Sequence, residues 1–234
     1  MRHLWKIGAV SAAAALMTLT PTTAHARMFN GIEVKGAIEV EFDAAGGWAF
    51  FENPLGPEGD AANGGKFQVF QRNASIYWSP ATNAHQVGGL IREKWGQLGW
   101  ESGFLGYPIS REIRVNNGSY NNFQGGSIYW SEKTGAHQIG GLILDKWRTV
   151  PLGFPKTDEF VCAGGGRGNH FEFGSIYWSP QSGTHVVKGK ILEKWEELGF
   201  ERSKYGFPTS DEYDVKGGGK AQQFQGGVLS TEDD

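Results

Sequence analysis

The sequence predicts a mainly β protein with short helices, folded as a four-unit β-propeller-like ring. Three observations predict it. A four-residue word recurs four times, as LGPE at 55, LGYP at 105, LGFP at 152 and YGFP at 205, in steps of 50, 47 and 53 residues. Inside the repeat the spacings are rigid: seven residues separate Trp78, Trp130 and Trp178 from His85, His137 and His185, and ten more lead to Trp95, Trp147 and Trp195. The two ends of the array are also incomplete in complementary ways. Self-similarity at such a period means units that cannot bury their own apolar faces and must pack on one another.

The elements of one unit follow in order. The SIYW word and the AHQVGG-type run are joined by SPATN, SEKTG or SPQSG, which reads as a β-hairpin closing on a left-handed Asn or Gly. An apolar stripe follows at helical spacing, Ile91, Trp95 and Leu98 or Ile191, Trp195 and Leu198, with Gly99 or Gly199 where a helix ends. Pro108, Pro155 and Pro208 cannot continue a helix, so the Gly-aromatic-Pro word is a turn. A glutamate stands seven residues after the start of that word at Glu112, Glu159 and Glu212. A strand is predicted next (112–115; 213–215), then a Gly- or Asn-rich turn. The final element, FQGGSIYW at 123–130, reads as one strand with its Gly-Gly pair as a bulge.

The fourth copy, FQGGVL at 224–229, lacks the second hairpin strand and the helix. Those parts stand near the start, where GIEVKGAIEVEF (31–42) aligns without a gap on THVVKGKILEKW (184–195). Ile32 falls on His185, Lys35 on Lys188 and Phe42 on Trp195. Pairing of the N-terminal strand with the last repeat would close the ring and remove an exposed edge.

Residues 1–26 read as a secretory signal peptide: a short basic start at Arg2 and Lys6, an apolar stretch to about Leu19, and Ala24-His25-Ala26 as an A-x-A cleavage site. Residues 27–234 then form one domain of four repeats. Removing two basic residues and no acid takes the net charge from −3 to −5. Such a chain has no electrostatic footprint for nucleic acid, and no transmembrane segment is expected in the mature protein. Its one cysteine, Cys162, cannot form an internal disulfide, so the fold stands on packing.

With GSIYWS, GAHQIGG and the I-x-x-x-W helix, the words LGYP, LGFP and YGFP resemble the LGFP repeat, over about residues 31–234. The resemblance implies a secreted or cell-wall-associated protein, mainly of actinobacteria. It also implies a propeller, and a role in tethering to wall polysaccharide of the arabinogalactan or peptidoglycan type.

No enzyme is expected, because the mature chain has no G-x-S-x-G, H-E-x-x-H, C-x-x-C or P-loop. A glutamate present in every copy holds a turn more readily than it catalyses. No cofactor or metal is expected: identical histidines of neighbouring units lie too far apart to share an ion unless they line a central channel. Cys162 reads as a buried thiol. The candidate glycan-binding residues are Tyr77, Trp78, His85 and Gln86 in one unit, Tyr129, Trp130, His137 and Gln138 in the next, and Tyr177, Trp178 and His185 in the third. Sugar C–H patches stack on aromatic faces while hydroxyls seek Tyr, His or Gln, although inter-unit packing is the commoner use of such rings. The expected function is non-catalytic, multivalent binding of envelope polysaccharide. The alternative is a protein-binding or structural propeller, an adaptor or inhibitor of a secreted enzyme.

Overall fold

The computed structural model describes residues 26–232; the signal-peptide reading falls almost wholly outside them. The chain opens with a short hairpin, β1 (Arg27–Phe29) and β2 (Ile32–Val34), followed by α1 (Gly36–Ala44) and α2 (Gly47–Phe51). Asn30 and Gly31 both have positive φ, as a two-residue type I′ turn demands. The first full sheet is β3 (Gly59–Ala61), β4 (Gly65–Phe70), β5 (Ala74–Ser79) and β6 (Asn83–Gly88), and α3 (Gly89–Gln97) follows it. The second is β7 (Ile113–Val115), β8 (Gly118–Phe123), β9 (Gly126–Ser131) and β10 (Gly135–Ile139), followed by α4 (Gly141–Trp147). The third is β11 (Phe160–Val161), β12 (Arg167–Phe171), β13 (Gly174–Ser179) and β14 (Gly183–Val187), followed by α5 (Gly189–Glu197). The fourth has three strands, β15 (Tyr213–Asp214), β16 (Lys220–Phe224) and β17 (Gly227–Ser230). Every ladder is antiparallel between consecutive strands.

The fold is thus mainly β with few helices, but the expected closing pair is not made. The ladder of β2 is with β1, and that of β17 is with β16. The alignment behind that expectation is nevertheless sound: α1 starts from an extended Lys35 as α5 starts from an extended Lys188, and Gly36 and Gly189 have φ +58° and +55°. What the alignment missed is β1. Phe29 lies opposite Ile32 as Tyr177 lies opposite His185, so β1 occupies the ladder position that β17 would have needed.

Two other readings change. FQGGSIYW is not one strand: Phe123 ends β8 and pairs with Gly126 at the start of β9 across a Gln124-Gly125 turn. Gly125 is glycine because a Cβ there would collide with the carbonyl oxygen of Phe104. The first repeat word is also FENP at 51–54 and not LGPE. Pro54, Pro108, Pro155 and Pro208 each bridge to the Phe ending the second strand, Phe70, Phe123, Phe171 and Phe224. Glu52 takes a positive φ (+57°), as Gly106, Gly153 and Gly206 do. The recurrent glutamate of the first copy is therefore Glu58.

Side-chain alternation along the third strand carries the packing between units. Ile76 faces back to Val34, Ile38 and Phe42, while Tyr77 faces forward to Ile91 and Trp95. Ile128 then faces back into the cluster of Tyr77 and Trp95, and Tyr129 faces forward to Ile143. Ile176 and Tyr177 repeat the pattern, and Leu229 closes it against Trp195. Each helix is in this way sandwiched between its own sheet and the next.

A buried amide fastens each pair of units. Asn121 donates through Nδ2 to the carbonyls of Gln86 (2.9 Å) and Ser110 (3.0 Å), joining the preceding sheet to its own turn. Gln68 does so to Glu33 and Gly56, Asn169 to Gln138 and Thr157, and Gln222 to Val186 and Ser210. Replacing Asn121 with Leu keeps the volume but strands two buried carbonyls. We expect Asn121→Leu to lower unfolding free energy by roughly 1–3 kcal/mol, read from the midpoint of a urea titration.

Candidate binding clefts between the units

The aromatic, His and Gln set that the sequence groups together does not converge on one surface. Tyr77, Tyr129 and Tyr177 are buried between units, each edge-on to the helix Trp at 4.6, 4.6 and 4.7 Å. Burial pushes the hydroxyl of each above its ordinary pKa. The histidines lie beside these tyrosines in the ladder. Each turns Nε2 back to its own hairpin: His85 to the Thr82 carbonyl (2.7 Å), His137 to Thr134 (2.8 Å) and His185 to Ser182 (2.7 Å). Because the partner is a carbonyl, Nε2 carries the proton and donates. The Nδ1 atoms of His137 and His185 stand 3.5 Å from Asp158 and Asp211. Among the described residues no group of three or more His, Cys, Asp or Glu side chains could hold a metal ion.

The carboxylates of Asp158 and Asp211 also order the outer strands. Asp158 accepts from the Gln138 amide (2.8 Å) and pairs with Lys94 (2.9 Å). Asp211 accepts from the Val186 amide (2.9 Å) and pairs with Lys146 (2.5 Å). One unit earlier the charges are exchanged. Arg111 replaces the aspartate, Glu41 replaces the lysine, and Glu41 itself accepts from the Gln86 amide (3.1 Å) while pairing with Arg111 (2.8 Å).

Trp78, Trp130 and Trp178 point to the face opposite the tyrosines and stay partly exposed. Two of them line equivalent clefts, each at the start of the preceding unit's helix. The cleft of Trp178, about 300 Å³, has Gly140, Gly141, Gln138, Glu159 and Arg167 around it, with Phe104 and Leu142 exposed at its mouth. That of Trp130, about 260 Å³, has Gly88, Gly89, Glu112 and Ser119. Of the residues singled out in the sequence, Trp178 and Gln138 therefore meet in one cleft and Trp130 lines the other; Gln86 and Gln138 are both buried, Gln86 with Oε1 accepting from the Glu112 amide. Glu112 and Glu159 join them, and their recurrence seven residues after the repeat word is the signal for it.

Glu159 stands 3.7 Å from Arg167. Burial raises its pKa above the ordinary 4.5, against the opposing pull of Arg167 and the Gly140 amide. Cys162 is buried and its thiol is pushed up to about 12 by burial, which keeps it protonated and unreactive at neutral pH. A raised carboxyl pKa in the folded state means the unfolded chain ionises first as pH rises. Glu159 then costs nothing below its unfolded pKa and costs a constant amount once the folded pKa is passed. Glu159→Gln should therefore raise the melting temperature at pH 7 and leave it close to wild type at pH 3.5, measured by parallel thermal scans.

A family profile described as "LGFP repeat" matches residues 53–103, 105–150, 152–203 and 206–233. A search of curated proteins returns no match.

Proposed function

The chain belongs to the LGFP repeat family, and from that premise we propose that it is a non-catalytic, multivalent binder of envelope polysaccharide. The family is associated with cell-envelope proteins and is of a repeat and binding type. No helix among the described residues is long and apolar enough to cross a membrane. On this reading contact with the wall is made by binding, and the protein acts outside the cell at wall arabinogalactan or peptidoglycan.

The observation that carries the reading is the recurrence of one cleft chemistry at successive units. An indole flank, an open Gly-Gly backbone and a carboxylate meet at Trp130 with Glu112 and again at Trp178 with Glu159. The indole offers apolar area to the C–H face of a sugar ring. The carboxylate accepts from hydroxyls, and Arg167 donates to hydroxyl or ring oxygens. Individually weak sites of this kind gain strength when one polysaccharide engages both, since the second contact is intramolecular. Tyr129, His137 and their equivalents contribute from the other face by holding the third strand in place.

Isolated cell walls and soluble arabinogalactan, titrated with the mature protein by calorimetry, test this. We expect saturable binding near two sites per chain, a loss of roughly tenfold or more in wall affinity for Trp178→Ala, and a similar loss for Trp130→Ala. Absence of binding to every wall fraction, or wild-type affinity in the Trp130→Ala, Trp178→Ala double variant, would falsify the reading.

A further inference from the structure

The three full units differ at one place on the forward face, and the difference leaves a pocket. In the first unit Trp100 lies parallel to Tyr77 at 6.4 Å and edge-on to Trp95 at 5.3 Å. In the third, Phe200 does the same to Tyr177 at 6.2 Å and Trp195 at 5.5 Å. Both residues have φ +55°, a left-handed conformation that a non-glycine residue holds only when its surroundings enforce it. What enforces it is a latch. Glu101 accepts from the Ala62 amide and Glu201 from the Ala163 amide, each at 3.1 Å, and both amides begin a 3-10 turn, at 62–64 and 163–165.

The second unit lacks both halves of this device. Nine residues separate Trp95 from Leu105 and Trp195 from Tyr205, but four separate Trp147 from Leu152. The turn that would receive the glutamate is reduced to Asn116 and Asn117. At the corresponding place lies a cleft of about 530 Å³, which Val150 also lines. Tyr129 forms its floor, stacked on Tyr120 at 4.6 Å, with Trp147 and Phe154 as walls. Trp147 is consequently only partly buried, whereas Trp95 and Trp195 are fully buried. Arg148 stands at the mouth, where the other helices have Gly96 and Glu196, and supplies a positive charge beside the Tyr129 hydroxyl.

We propose that this pocket binds an aromatic side chain followed by an acidic residue, presented by a segment of a partner protein in the manner of Phe200 and Glu201, since a Cβ at the Gly96 position, which Arg148 has, would meet a ring placed as Trp100 is. The ring fills the cleft between Trp147 and Phe154, and Arg148 takes the carboxylate in place of the missing turn amide. The two occupied copies define the ligand: each is a ring and a carboxylate on adjacent residues, and the cation at the open copy has the matching sign. The proposal concerns the face opposite the Trp130 and Trp178 clefts and does not depend on them.

The probe is a fluorescent peptide of sequence Leu-Gly-Phe-Glu-Arg, the segment 198–202, titrated with the full mature chain and followed by anisotropy. Saturable binding is expected, at least tenfold tighter than for the peptide with Ala in place of Phe, and weakened at least tenfold by Arg148→Glu. Arg148 is exposed, so circular dichroism will show that this variant keeps its fold. In a second variant residues 148–151 are exchanged for the segment 96–104 and the turn 116–117 for 62–64, which supplies an internal plug; binding should vanish. Equal affinity for the Phe and Ala peptides, undiminished binding by the plugged variant, or occupation of the pocket by wall polysaccharide with no peptide binding would each overturn the proposal.

Discussion

Everything else in the structure depends on a sheet that must be covered on both faces. A unit of three or four short strands and one helix has too little interior of its own, and the third strand alternates between two interiors that belong to different neighbours. Isoleucine closes the interface behind and tyrosine the interface ahead. The helix between them is gripped from both sides through Ile91 and Trp95, or Ile191 and Trp195, which are essentially buried. The amides of Gln68, Asn121, Asn169 and Gln222 add direction to this apolar grip, since each spans a carbonyl of the sheet behind and one of its own turn. In the fourth copy Ser230 stands where the other copies have a forward tyrosine. Phe29 plays that part for α1, at 5.2 Å from Phe42.

Such a scaffold divides the repeat between packing and surface. The Tyr and His of each copy are committed to the forward face and the hairpin, and they recur because the interface recurs. The indoles of Trp130 and Trp178 sit on the other face at the seam between units, where a sheet edge meets the Gly-Gly start of a helix. Side chains are sparse there because the second glycine, Gly89 or Gly141, holds a left-handed φ that favours glycine. A seam that is open for backbone reasons, and that repeats with the fold, presents similar chemistry at regular intervals along the molecule.

Much of this was legible in the sequence. The Trp-to-His and His-to-Trp spacings marked a rigid hairpin and helix, and the gapless match of 31–42 to 184–195 correctly placed β2 and α1 in the roles of β14 and α5. Three features were hidden for definable reasons. β1 has no sequence likeness to the strand it replaces, because only its geometry and Phe29 are needed. FENP escaped notice because Glu52 adopts a backbone conformation usually signalled by glycine, and a nearby LGPE imitated the missing word. The grouping of Tyr with Trp failed on parity: adjacent residues in a strand face opposite ways, so the dipeptide most conspicuous in the sequence is the one that the sheet divides.

Deviations from the repeat fall into two kinds, and the difference bears on function. Arg111 reverses the charge found at Asp158 and Asp211, but Glu41 reverses the charge of Lys94 and Lys146 as well, and also accepts the Gln86 amide that an arginine cannot. Every partner is restored, so the exchange keeps structure and adds nothing to the surface. The shortened second unit is different. Plug and receiving turn are both missing, which spares the turn an unpaired amide; Arg148 and Val150 line the place instead, and Trp147 keeps a partly exposed indole. A polar loss has been compensated, while the apolar side of the same place is a solvent-open cleft beside Tyr120, Tyr129 and Trp147, the opening that the proposed aromatic and acidic ligand would enter.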